Sequence, residues 1–66
     1  MYNVGVEMPS GAQSRGYDRP TEDKASRIFA QVVAQVLEFP RFAADVILSE
    51  DRTEIQRERI DNVSTL

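Results

Sequence analysis

Cysteine, histidine and tryptophan are all absent from the 66-residue chain. Without cysteine no disulfide can form, and the sequence carries no sign of its redox compartment. Without cysteine or histidine, the preferred ligands of zinc and other transition metals are missing. The usual base for a nucleophilic serine is missing as well. These absences exclude a disulfide scaffold and argue against a metal centre, a cofactor or a catalytic triad.

Long apolar runs and clusters of positive charge are also missing. No stretch reaches the roughly 18 consecutive apolar residues of a membrane span. The first residues, MYNVGVEMPSG, lack the charged start and apolar core of a signal peptide. The net charge is -3, and the eight Lys and Arg residues are spread along the chain. We therefore expect a soluble, intracellular protein, or a component of a particle, that binds neither a membrane nor, as its main role, nucleic acid.

The short chain limits the size of any core. A domain of this length is marginally stable alone and usually gains support from a disulfide, a metal or a partner. It is also too short to enclose easily the pocket of several hundred Å3 that a small-molecule substrate needs. Since disulfides and metals are set aside, self-association or docking on a protein partner is the expected support.

The strongest pattern covers residues 21–39, TEDKASRIFAQVVAQVLEF, and predicts a helix. Its apolar residues recur at steps of three and four, which stacks them on one helical face. Thr21 can act as the N-cap, and Pro40 ends the run. The apolar arc is wider than a simple surface helix needs, so this helix requires neighbours on two sides. The residues expected to be buried are Phe29, Val32, Val36 and Phe42.

Residues 1–20 contain all three glycines and two of the three prolines, which predicts an extended or flexible arm. Within this arm, Tyr2, Val4, Val6 and Met8 alternate with other residues at the period of a strand. One interpretation is strand addition to the sheet of a partner. The alternative is a disordered terminus in which a short alternation has no function.

The remaining residues predict two further short helices and hence a mainly α fold. Residues 40–49 are apolar almost all round, which is typical of a buried helix, and Pro40 suits its first turn. Residues 51–63 alternate acids with arginines, which is typical of a solvated helix. The prediction is therefore an arm at 1–20 followed by a small helical module at 21–66, with helices at about 21–39, 40–49 and 51–63.

The only side chains in the sequence that could plausibly bind a cation or transfer protons are acidic: Glu50, Asp51, Glu54, Glu58 and Asp61. On a helix, Glu54 and Glu58 would share a face and could hold a cation or transfer protons. Arg52, Arg57 and Arg59 neutralise this segment, and no calcium-loop, phosphate-loop or dinucleotide motif is present. The segment is therefore interpreted as a solvated, ion-paired surface, and the protein as non-enzymatic.

The leading hypothesis is a small helical subunit that binds another protein or itself within a larger assembly, such as a virus-like particle. An alternative is a small acidic inhibitor or regulator of an enzyme or of a nucleic-acid-binding protein. A third, supported only by three arginines near the end of the chain, is a DNA-binding dimer. The residues predicted to bind the partner are Tyr2, Val4, Val6, Met8, Val33, Leu37, Phe39 and Phe42.

Overall fold

Four antiparallel strands and one helix make up the structure, a computed structural model that describes residues 1–14, 16–38 and 43–61. The strands lie side by side in the order β2-β1-β3-β4, and the helix packs on one face of the sheet. In chain order the elements are β1 (Tyr2–Glu7), β2 (Tyr17–Arg19), α1 (Glu22–Leu37), β3 (Ala43–Glu50) and β4 (Thr53–Asp61).

The predicted mainly α fold is wrong, because the segments assigned to the second and third helices form β3 and β4. In β3, Ala44, Val46 and Leu48 are buried while the residues between them are half-buried, which is the period of a strand. A short apolar run does not distinguish a buried strand from a buried helix by its periodicity. The adjacent β-branched residues Val46 and Ile47 favour the strand. The stretch 40–42 of the predicted second helix lies outside the described residues.

The charged segment 53–61 becomes a strand by pairing with β3 along its length. Its Glu, Gln and Arg residues have good helix propensity, but propensity is a weak prior that tertiary contacts override. Residues 51 and 52, read as the start of a helix, instead form a two-residue turn between Glu50 and Thr53. Asp51 and Arg52 both have positive φ, 47° and 74°, as a type I′ hairpin turn requires.

The N-terminal residues lie inside the sheet of their own chain. β1 pairs with β2 on one side and with β3 on the other, so neither edge of β1 is open. The alternation that predicted an extended segment is present, since Val4 is fully buried and Tyr2 and Val6 pack against the same core. The sheet that this segment joins is therefore its own, and residues 1–20 supply two of its strands.

The helix α1 forms where the sequence predicts it. The Thr21 hydroxyl accepts a hydrogen bond from the Lys24 N–H at 3.3 Å, which satisfies one of the free donors of the first turn. The described helix ends at Leu37, and the predicted terminal residue Phe39 lies outside the described part of the chain. Of the residues predicted to be buried, Phe29, Val32 and Val36 are buried, while Phe42 is not described.

The core lies between α1 and one face of the sheet. Val4, Val46 and Leu48 are almost completely buried, and each such side chain contributes roughly 1.5–3 kcal/mol. The edge strand β4 contributes a single buried residue, Ile60. The sheet is therefore covered by described residues on one face only, and the opposite face and the β4 edge are the surfaces available for function.

Candidate interaction site

The uncovered face of the sheet carries several charged side chains. Residues next to the buried positions of β1 and β3 point to this face, among them Glu7 and Asp45, and Arg59 lies opposite Asp45. Arg57 of β4 lies opposite Ile47, on the same face. The alternation that buries one side of each strand therefore places acids and arginines together on the other side.

Arg57 is the centre of an ion-paired cluster that links three strands. Its Nε and Nη2 donate to the two carboxylate oxygens of Glu54 at 3.1 and 2.9 Å. Its Nη1 donates to Glu7 at 3.1 Å and also to Asp45. Glu7 lies in β1 and Asp45 in β3, so this one guanidinium connects the edge strand to both inner strands. Arg59 adds a longer contact of 3.5 Å to Asp45.

The cluster keeps its carboxylates ionised. The hydrogen bond from Gln13 and, to a smaller extent, the one from Arg57 lower the pKa of Glu7. Hydrogen bonds from Arg57 lower the pKa of both Asp45 and Glu54. The pKa of Arg57 is raised by its hydrogen bonds to Glu54, Asp45 and Glu7. A general acid near neutral pH needs a raised carboxyl pKa, so these shifts are in the opposite direction to the one that acid catalysis uses.

Two open hollows lie on the charged face, on either side of the Glu7–Arg57 ion pair. The larger, of about 420 Å3, extends from the loop after β1 to the C-terminal end of β4. The smaller, of about 280 Å3, lies over Asn3, Gly5 and Ile47. Among the described residues, no group of three or more acids, the only metal-ligating type this chain has, is placed to hold a metal ion. The Arg57 contacts join β1, β3 and β4 between the two hollows.

The two edges of the sheet differ in length and in accessibility. The β2 edge is three residues long, and Arg19 Nη1 donates to the Asp18 carbonyl at 2.7 Å. The Arg19 guanidinium also lies 5.9 Å from the centre of the Tyr17 ring. A short edge whose carbonyl is already bonded and whose flank carries a positive charge is a poor template for another strand.

The β4 edge is nine residues long, and eight of those residues are exposed. A strand at the edge of a sheet leaves alternate N–H and C=O groups without a ladder partner. In the described part of the chain, no hydrogen bond from another segment reaches the outer backbone of residues 53–60. A register shift at Leu48/Ser49 leaves Ile55 as an extra residue near one end, so the regular part of the edge runs from 56 onward. This edge is the candidate interaction site.

The structure places four of the eight residues predicted to bind a partner in or against one core. Val4 is inaccessible, and Tyr2, Val6 and Val33 are half-buried against the core. Met8 is half-buried after β1, and Leu37 is 55% exposed near the end of α1. Phe39 and Phe42 lie outside the described residues. Partner binding by the residues that remain accessible stays a prediction.

The acidic pair noted in the sequence does not share a face. Glu54 lies opposite Ser49 on the charged face, whereas Glu58 lies opposite the buried Val46. The sequence analysis missed Glu7, Asp45 and their joint contact with Arg57. No local motif marks this contact, since 50 positions separate Glu7 from Arg57. A period-two reading of 43–50 and 53–61 would have placed Asp45 and Arg57 on one face.

These features define a small two-layer α/β domain with ββαββ topology, one charged sheet face and one long open edge. No protein-family model, curated protein or solved structure matches the chain. Over residues 1–14, 16–38 and 43–61, no helix is long and apolar enough to cross a membrane.

Proposed function

We propose that the protein is a non-enzymatic binding subunit that accepts an extended segment of another protein along the outer edge of β4. The observation that carries this proposal is the contrast between the edges. β4 is nine residues long, and in the described part of the chain no hydrogen bond from another segment reaches its outer backbone over residues 53–60, whereas β2 has three residues and one carbonyl already bonded. Strand addition to a free sheet edge is a general way in which proteins recognise extended segments.

The length of β4 supports a stable contact. Alternate residues of an edge strand direct both backbone groups outward, so about four residues of β4 can bond to an added strand. At roughly 0.5–1.5 kcal/mol for each hydrogen bond, such a ladder offsets part of the cost of ordering the segment. The remaining binding free energy must come from side-chain contacts, so the side chains determine which partner binds.

The charges of β4 disfavour a second copy of the chain as the partner. In a two-fold antiparallel pairing of β4 with itself, residues equidistant from the axis lie opposite each other. An axis at Arg57 or at Arg59 sets that arginine against itself. An axis at Glu58 sets Glu58 against itself and Arg57 against Arg59, and an axis at Gln56 sets Glu54 against Glu58. Like charges directly opposite are destabilising, so the four registers centred on residues 56–59 disfavour a second copy, and the proposed occupant belongs to a different protein.

The state of the acidic residues supports a non-enzymatic role. Glu7, Asp45 and Glu54 all bond to Arg57, and the pKa of each is lowered. The same pairing weakens the alternative of an acidic inhibitor, because three of the acids already form ion pairs within the chain. We therefore do not advance that alternative.

Site-specific photo-cross-linking in the cells from which the chain comes tests the proposal. The photo-reactive residue p-benzoylphenylalanine replaces Gln56 on β4, Tyr17 on β2 or Gln31 on α1, one at a time, and all three positions are exposed. We expect a covalent adduct with a different protein at position 56 and none at 17 or 31. Adducts confined to 17 or 31, or an adduct at 56 with the mass of two copies of this chain, would overturn the proposal.

A further inference from the structure

We infer that β4 selects its partner by charge, and that the added strand carries a basic residue opposite Glu58 and an acidic residue opposite Arg59. This inference rests on the proposed function, because it specifies which extended segment the edge accepts. It depends on three neighbouring residues of β4 that differ in how their charges are compensated.

Arg57 is already satisfied within the chain. Four of its hydrogen bonds go to three carboxylates, and these contacts hold β4 against both inner strands. A partner therefore gains little by placing an acid opposite Arg57. The charge that remains available for recognition lies on the two residues that follow.

Glu58 has no compensating charge in its own sheet. It is exposed and lies opposite Val46, which is fully buried and apolar. Within the described residues, the Glu58 side chain takes part in no hydrogen bond or ion pair. A positively charged side chain on an added strand, directly opposite on the same face, would be its first cross-strand ion pair.

Arg59 is only weakly engaged. Its side chain is 81% exposed, and its one ion pair among the described residues joins Nε to Asp45 Oδ1 at 3.5 Å. The other oxygen of Asp45 already bonds to Arg57, so Asp45 is shared between two arginines. Arg59 can therefore take an acidic side chain from an added strand without breaking the cluster.

The alternation of side chains along a strand determines the order in which the added strand must carry its two charged residues. Glu58 and Arg59 are consecutive, so they point to opposite faces, and the residues opposite them are also consecutive. All described pairings in this sheet are antiparallel. In an added antiparallel strand, the residue opposite Arg59 comes first. The edge therefore fits a segment in which an acidic residue is followed directly by a basic one.

The alternating signs of charge also distinguish the β4 edge from a sheet edge whose charges only prevent aggregation. Charges of a single sign are enough to keep a sheet edge soluble. Opposite signs on opposite faces instead define one complementary strand, and they repel the reversed order at both positions. Partner choice by charge of this kind combines attraction to one strand with repulsion of others.

A charge-reversal cycle with synthetic peptides tests the inference. The probes are nine-residue peptides of alternating threonine and valine with a central Asp–Lys pair or, in the matched control, a central Lys–Asp pair. Their outward amides are N-methylated so that no further strand can add. Each is titrated against the full native chain and against the full chain carrying both Glu58→Lys and Arg59→Glu. Both substituted positions are exposed, and thermal unfolding checks that the fold is kept.

We expect the native chain to bind the Asp–Lys peptide about fivefold more tightly, and the doubly reversed chain to prefer the Lys–Asp peptide by a similar factor. Amide chemical shifts of β4 report the binding. A one-residue slip of the Lys–Asp peptide would place its valines on the opposite face, so it does not restore the match.

The outcomes separate the two proposals. Equal affinity of both peptides for both chains, with shifts confined to β4, would overturn the charge rule and leave strand addition standing. If neither peptide shifts the β4 amides of either chain at concentrations up to about 1 mM, strand addition itself is wrong, and the inference fails with it.

Discussion

The two edges of the sheet are built in different ways. The β2 edge is short, its Asp18 carbonyl accepts a hydrogen bond from Arg19, and the segment between β1 and β2 contains two positive-φ glycines. The β4 edge is three times as long, is exposed, and is held to the sheet by its ladder, by Ile60 and by the Arg57 cluster. Backbone geometry limits access to the β2 edge, while the β4 edge is accessible and carries exposed charged side chains.

This difference indicates where the molecule tolerates change. At the β2 edge, stability depends on local backbone conformation, so substitutions there act on folding. At the β4 edge most side chains are exposed, so substitutions there act on charge and on the proposed partner while the core stays intact.

The largest effect is expected at Gly16, in the loop that leads into β2. Gly16 has φ of +82°, and a Cβ there would lie 2.5 Å from the Val4 carbonyl oxygen in the central strand β1. Gly16→Ala should therefore cost about 2–4 kcal/mol of unfolding free energy, from left-handed strain and displacement of β1. Chemical denaturation followed by circular dichroism measures this loss.

Gly11 provides the matched control for this prediction. Gly11 also has positive φ, +94°, but a Cβ there meets no atom within 4 Å. Gly11→Ala should therefore cost only about 1 kcal/mol, from conformational strain alone. Equal losses in the two variants would mean that the close approach to Val4 does not hold β2 in place.

Acid should weaken the attachment of β4. The folded chain lowers the pKa of Glu7, Asp45 and Glu54 below their ordinary values of 4.5, 3.8 and 4.5. Their contribution to stability is complete above those ordinary values and is lost as pH falls through the lowered ones, because the unfolded chain takes up the protons first. We expect Tm to fall as the pH is lowered from about 5 to about 3, measured by thermal circular dichroism.

Arg57→Met supplies the control, because methionine keeps part of the apolar stem and removes the cation. Three carboxylates then lie close together with only the 3.5 Å contact from Arg59 to Asp45 as a compensating charge, so Tm should be lower at neutral pH. Protonation would relieve their repulsion, so Tm of this variant should stay constant or rise on acidification. A parallel fall of Tm with pH in both chains would show that the cluster around Arg57 is not the acid-sensitive element.

The smallest effect is expected at Arg52, in the turn that begins β4. Arg52 has φ of 74°, a conformation that glycine adopts without strain and arginine does not. Its side chain makes no hydrogen bond or ion pair within the described residues. Arg52→Gly should raise the unfolding free energy by about 0.5–1 kcal/mol, as measured by denaturant titration. A neutral or destabilising result would mean that the Arg52 side chain makes a stabilising contact.

Local sequence patterns were sufficient to predict the elements that depend on residues within a single segment. The Thr21 cap and the apolar spacing of α1 lie within one segment, so the helix and its buried residues Phe29, Val32 and Val36 were predicted correctly. The alternation over β1 correctly predicted an extended segment. Its partner strands are distant along the chain, so the pattern could not show that this segment joins its own sheet.

The remaining strands depend on contacts that no local pattern specifies. Residues 43–50 fit a buried helix or a buried strand equally well by apolar content, and pairing with β1 decides between them. Residues 53–61 favour a helix by propensity, but pairing with β3 and the contacts of Arg57 with Glu7 and Asp45 favour the strand. Because β3 and β4 were not predicted as strands, the β4 edge of the sheet was not predicted either.

Hydrogen exchange along β4 tests the central claim most directly. Amide exchange is measured by NMR for the free chain and for the chain with the Asp–Lys peptide. In the free chain, we expect alternate amides of residues 56–60 to exchange fast, because they point outward, and their neighbours to exchange slowly. With the peptide present, the fast amides should become protected while those of β2 and α1 stay unchanged. Uniformly slow exchange across β4 in the free chain, or new protection confined to β2 or α1, would contradict an open edge that accepts a strand.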